Sequence, residues 1–196
     1  MKKTIAILIV LCMLTVMIPV FSFAEDSPDA AASAPVEGNT VVSRHSAVIN
    51  GQKLAYTATA GSTVLSSGED QCEIYYTAYT LDNPAEGSAR PVSFAFNGGP
   101  GSASLWLHMG FLGPRRIDLD EAGSAKQFPP ALVDNTWSIL DLTDLVIIDP
   151  VGTGYSRALP GSKAETFLGY ENDCRTVATS SAGMSTRTGA GLRRST

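Results

Sequence analysis

Cysteine, histidine and charge are all scarce in this chain, and each shortage closes off a class of function. Three cysteines and two histidines in 196 residues make a dedicated zinc site improbable, because structural sites usually take four ligands at short spacings. Lysine and arginine number 14 against 19 acids, for a net charge of −5, and no basic block occurs before the extreme C-terminus. A nucleic-acid partner is therefore not expected, since phosphate contacts need clustered cations. Charged residues make up 17% of the chain, too few for the composition of a disordered protein. What remains is a 44% hydrophobic sequence with room for one ordinary domain and a real core.

The longest apolar run lies at the N-terminus. Lys2 and Lys3 precede an apolar stretch from Ile5 to Val20, followed by Ser22-Phe23-Ala24. A charged n-region, an apolar h-region and small residues at −3 and −1 make a secretory signal. Residues 1–24 are thus expected to be removed near Ala24, leaving the protein periplasmic or extracellular. The rival is an uncleaved anchor, because the run approaches the length that spans a bilayer; this segment is the only membrane contact expected. Pro19 and the small Ser22 and Ala24 favour cleavage, and Leu11 before Cys12 is too large for a lipoprotein signal. Export permits a disulfide between Cys72 and Cys174, although nothing in the sequence says that those positions meet.

Residues 25–39 carry Ala, Pro, Ser and acid with no period and read as a flexible leader. From Thr40 the pattern turns to strands. Val41–Ile49, Asn50-Gly51 and Lys53–Ala60 read as a hairpin, with Asn-Gly supplying the positive φ angles of a tight turn. Glu73–Leu81 is aromatic and β-branched, a third strand. Pro91–Phe96 and Leu145–Asp149 are short and almost wholly apolar, as strands buried on both faces of a parallel sheet are. Each ends in a glycine loop, Asn97-Gly98-Gly99-Pro100-Gly101-Ser102 and Pro150-Val151-Gly152-Thr153-Gly154. The expected class is α/β, with a leading β-hairpin and a mixed, mostly parallel sheet that binds ligands at the carboxyl ends of its strands.

The first glycine loop has three readings. Its backbone amides suit a phosphate cradle, but no Gly-Lys-Ser/Thr ending follows and Pro100 removes a donor. The same amides suit an oxyanion hole, which in α/β-hydrolases takes one donor from a glycine-rich loop after an early strand. The loop by itself is also no more than a tight strand-to-helix turn. Asp149 reads as a structural acid capping the Gly152–Gly154 turn. Trp106 and Trp137 read as core, His108 as a satisfied structural histidine, and Arg115 and Arg116 as a solvated pair.

Taken together, FNGGPGSASLWLHMGFLGPRRI and ILDLTDLVIIDPVGTGYSRA resemble the serine carboxypeptidase family, particularly its bacterial members. The resemblance covers roughly residues 40–178. It implies the N-terminal portion of an α/β-hydrolase fold, no cofactor or metal, and release of C-terminal amino acids from peptides by a Ser-His-Asp mechanism. It also implies that the Gly99 amide is an oxyanion donor. Asn97 and Gly98 would then hydrogen-bond the carboxylate of the peptide substrate, as neutral donors can. The chain departs from the eukaryotic members at Ala95, where they carry tryptophan, and at Phe111, where they carry an acid. Both positions belong to the carboxylate-binding network.

The catalytic group itself is not found. No G-x-S-x-G elbow occurs, the Gly154-Tyr155-Ser156-Arg157-Ala158 run lacks its second glycine, and His45 and His108 precede any histidine in the order Ser, Asp, His. Residues 179–196 hold eight Ser or Thr and no acid, so the helical periodicity begun at Tyr170–Ala178 is expected to stop there. Deleting one base at codon 179 converts a coding stretch for ADFIRRYVNAYGRWASPKY into residues 178–196, and that undeleted peptide continues the apolar stripe of a core-facing helix. The tail is thus expected to be out of frame and the chain catalytically inactive. The other reading is a non-enzymatic secreted fragment, at most a weak binder of peptide C-termini.

Overall fold

Asn50 and Gly51, at φ 48° and 77°, turn the chain between β1 (Val36–Ile49) and β2 (Gln52–Ser67). Two successive positive φ angles give the turn a twist that matches the strands. A second tight turn through Gly68 leads to β3 (Asp70–Leu81), completing a three-stranded antiparallel meander. These contacts come from a computed structural model that describes residues 36–84, 90–98 and 101–187. The signal segment, Gly99 and residues 188–196 lie outside the described residues. β1 begins at Val36, inside the segment read as leader. Gly38 makes this possible, because a Cβ there would lie 2.1 Å from Ser62 Oγ.

The two apolar strands of the sequence are β4 (Val92–Ala95) and β7 (Asp144–Ile148). They pair in parallel, Val92 opposite Asp144 and Ala95 opposite Ile147. β7 also pairs antiparallel with β3, giving the order β1-β2-β3-β7-β4, and β8 (Arg157–Ala158) adds to β3. The sheet is therefore mixed but not mostly parallel: among the described residues, β4 with β7 is its one parallel pair. Parallel neighbours need a long crossover, and only the segment from Phe96 to Thr143 provides one. β7 is buried throughout, as expected, whereas β4 is half-buried and forms an edge of the described sheet.

The crossover carries a one-turn helix, α1 (Leu105–Leu107), a wide π-type turn over His108–Leu112, and a small ribbon of β5 (Arg115–Ile117) and β6 (Leu132–Asp134). α2 (Tyr170–Arg187) packs on one face of the sheet. Its Val177 and Met184 join Phe167 against Ile74, Val146 and Ile148. A smaller cluster of Ala47, Ile49, Tyr56 and Leu140 fills the other side of the meander. α2 continues past Ala178, where the periodicity was expected to stop. Ser180 fits its buried face by donating its hydroxyl back to Val177 O at 2.9 Å, a bond that satisfies a small polar side chain within a helix.

Candidate active site

β4 and β7 run side by side, so their glycine loops emerge at the same end of the sheet. Ser104 joins the two loops. Its hydroxyl donates to Ile148 O at the end of β7 and accepts from Asn97 N at 2.9 Å, while its own amide donates to Asp149 Oδ1 at 2.8 Å. One buried residue thus fixes the start of the first loop, the end of β7 and the acid that follows it. The Asp149 carboxylate was expected to cap the Gly152–Gly154 turn, and it accepts from Ser104 N instead. That turn closes through Gly152 N to Ser156 O and Ser156 N to Thr153 O, each at 2.9 Å. Gly154, at φ 51°, lies against the acid so closely that a Cβ would stand 2.1 Å from Asp149 Oδ2. No other residue fits there.

Asn97 is half-buried, and its side-chain amide donates to Ser102 Oγ at 2.6 Å and to Gly98 O at 3.4 Å. Gly98 is exposed, with open space where a side chain would be. Asn97 and Gly98 thus stand together at the loop mouth, while Gly99 falls outside the described residues. Ser156, the serine of the elbow-like run, is buried and accepts from Tyr75 N at 2.8 Å. It holds Tyr155 over the sheet and is not placed to attack a substrate.

A cleft of about 380 Å³ lies beside Ser104, bounded by Tyr75, Tyr76, Tyr155, Leu105, His108 and Asp149. His108 bonds Tyr79 Oη through its Nε2. Burial pushes its pKa below the usual histidine value, against a weaker upward pull from the Asp149 charge, and burial raises the Tyr79 phenol. The imidazole is thereby a satisfied structural group that also forms one wall of the cleft. Arg115 is held by Asp134 at 3.1 Å, and Arg116 donates to Ile117 O at 3.3 Å. Both residues are partly buried, and the Arg115 side chain keeps 43% of its exposure.

Two expectations fail. Trp106 and Trp137 are 71% and 83% exposed: Trp106 sits on the single turn of α1 and Trp137 in the loop after β6, outside the sheet. One residue escaped the sequence reading altogether. Asn135 is buried and donates to Phe111 O at 2.7 Å and Gly113 O at 2.8 Å, while the Ser138 hydroxyl donates to Leu112 O at 2.7 Å. These bonds satisfy the carbonyls that a wide turn leaves unpaired. Gly113 is required there, since a Cβ would lie 2.3 Å from His108 O. A lone asparagine before a tryptophan gives no signal of this in sequence.

Cys72 is buried in β3 and Cys174 exposed on α2, and no disulfide joins them. Among the described residues no group of His, Cys, Asp and Glu is placed to hold a metal ion, and no helix is long and apolar enough to cross a membrane.

Two parallel strands bring their glycine loops together at one end of a mixed sheet, the end at which open α/β sheets place their ligand sites. The family model for serine carboxypeptidase matches residues 52–181, and the chain belongs to that family of peptidases. The match takes in β2, β3, both glycine loops and the first two thirds of α2. No curated protein matches the chain.

Proposed function

We propose that the chain derives from an exported carboxypeptidase that releases C-terminal residues from peptides by a Ser-His-Asp mechanism, with the Gly99 amide as oxyanion donor. Asn97 and Gly98 are its carboxylate donors. The observation that carries this reading is the Ser104 tie, which fixes the start of the Asn97 loop at the carboxyl end of β4. In acyl transfer such preorganised donors stabilise the charge that develops on the carbonyl oxygen. The nucleophile, acid and histidine are not among these residues, so the chain as it stands is inactive.

The tail reading belongs to the same proposal. On α2, Val177, Ser180 and Met184 are buried, Ser181 is half-buried and Ala182 exposed. The undeleted frame places Phe, Tyr and Ile at 180, 184 and 181, and Arg at 182, which agrees with that burial. Resequencing the gene from codon 170 past codon 196 tests the frame. A restored base opening onto a G-x-S-x-G elbow, and hydrolysis of an acyl-dipeptide by the restored product with loss on serine-directed inhibition, are the expected results. Hydrolysis by the present chain would overturn the claim of inactivity.

A further inference from the structure

We propose that the tyrosine-walled cleft beside Ser104 is a binding site for an organic cation, an ammonium or guanidinium group carried on an apolar body. The walls are built to hold their shape. Tyr75 sits on β3, and Ser156 accepts its backbone amide at 2.8 Å, which brings Tyr155 within 5.7 Å of the Tyr75 ring at a 49° tilt. Tyr76, the next residue along β3, faces the other side of the sheet and packs on the Ile74–Ile148 core, so the rings offered to a guest are those of Tyr75 and Tyr155. Leu105 closes the apolar side.

The charge in this cleft is one-sided. Asp149 lines it, half-buried, with Oδ1 accepting from Ser104 N. The ion pairs among the described residues join Arg90 to Asp144, Arg115 to Asp134 and Lys126 to Asp118, and none reaches Asp149. A half-buried carboxylate without a counter-charge favours a cationic guest, and phenol faces attract cations through the ring quadrupole. His108, the other titratable wall, is kept neutral by its burial and does not compensate Asp149 at neutral pH. An anion would meet Asp149, and a neutral guest would leave its charge unmet. At about 380 Å³ the space accepts a single amino-acid-sized group.

The test is a titration of the full chain with benzylammonium chloride, followed by calorimetry or by tyrosine ring resonances, with benzyl alcohol as the neutral isostere. Saturable binding of the cation, at least about tenfold tighter than the alcohol, is expected. Asp149→Asn should weaken it about tenfold, because an amide oxygen can still accept from Ser104 N while the charge is lost. Tyr155→Ala should weaken it as well, and Tyr155 is 70% exposed, so that variant does not threaten the fold. Acetyl-arginine amide binding more tightly than benzylammonium assigns the cleft to a basic peptide side chain, and the reverse order assigns it to a free aromatic amine. Absence of binding, equal binding of the alcohol, or binding untouched by both substitutions overturns the proposal. Benzylammonium carries no carboxylate, so the outcome is independent of the roles given to Asn97 and Gly98.

Discussion

Replacing Ser104 by alanine removes a hydroxyl that ties the start of the first glycine loop to the end of β7. The side chain is 1% exposed, and its oxygen accepts from Asn97 N at 2.9 Å while donating to Ile148 O. Alanine fills nearly the same space but leaves the Asn97 amide without its partner. An unpaired buried donor costs about 1–3 kcal/mol, and the lost donation to Ile148 O about 0.5–1.5 kcal/mol. A loss of about 2–3 kcal/mol is expected, read from urea denaturation with the m-value unchanged. The Ser104–Asp149 bond uses the backbone amide, so it should survive the substitution. The local readout is amide hydrogen exchange: Asn97 should lose protection beyond the global loss, whereas amides of β2 and β3 should follow the global change alone. Ser104→Thr, which keeps the hydroxyl, should restore part of the protection. Unchanged Asn97 exchange in Ser104→Ala would refute the claim that this hydroxyl holds the loop.

His108 is held below its ordinary pKa of 6.5 in the folded state, so the unfolded chain takes up a proton first. Stability is then full above about pH 6.5 and falls as pH drops towards the lower folded value; His108→Gln should flatten that slope between pH 6.5 and the onset of carboxylate titration, seen in thermal melts. The Cys72 thiol is buried and its pKa pushed up to about 11, so in a protein lacking residues 1–24 only Cys174 should react quickly with a disulfide reagent at pH 8. Denaturation should expose the second thiol, and a pair that stays unreactive until reduced would mean that a disulfide forms. Replacing residues 179–187 by DFIRRYVNA should raise the melting midpoint by roughly 4–8 °C, since burying the larger side chains adds about 2 kcal/mol. A lower midpoint would count against the frame reading.

The hairpin was readable because Asn50-Gly51 states its own geometry and the alternation on either side has period two. β7 was readable because five consecutive buried positions leave no polar residue in its centre. Its parallel pairing with β4 was expected from the two apolar runs, but its antiparallel pairing with β3 was not, since a short apolar run looks the same in a parallel and an antiparallel neighbourhood. In Glu73–Leu81 the aromatic content announced a strand, but not which phenols would share a face. Tyr75 lines the cleft and Tyr79 meets His108, contacts that depend on a crossover tens of residues away. The glycine loops were found as motifs, yet Ser104, which unites them, carried no local signal. Its importance comes from meeting Ile148 O and Asp149, residues that only the parallel pairing brings beside it.

The connectivity of the sheet also sets an order of assembly. β1, β2 and β3 are joined by tight turns, so their pairing closes short loops and needs no other part of the chain. β4 reaches β7 only after the whole Phe96–Thr143 segment has been looped back, and non-local pairing of this kind is slow. The meander should therefore gain protection first in a refolding experiment, with β4 and the Asn97 loop following. Throughout that interval the β3 edge that later receives β7 is open to intermolecular pairing. Dilution or rapid completion of the crossover, rather than a stronger meander, is what should protect this protein from misassembly.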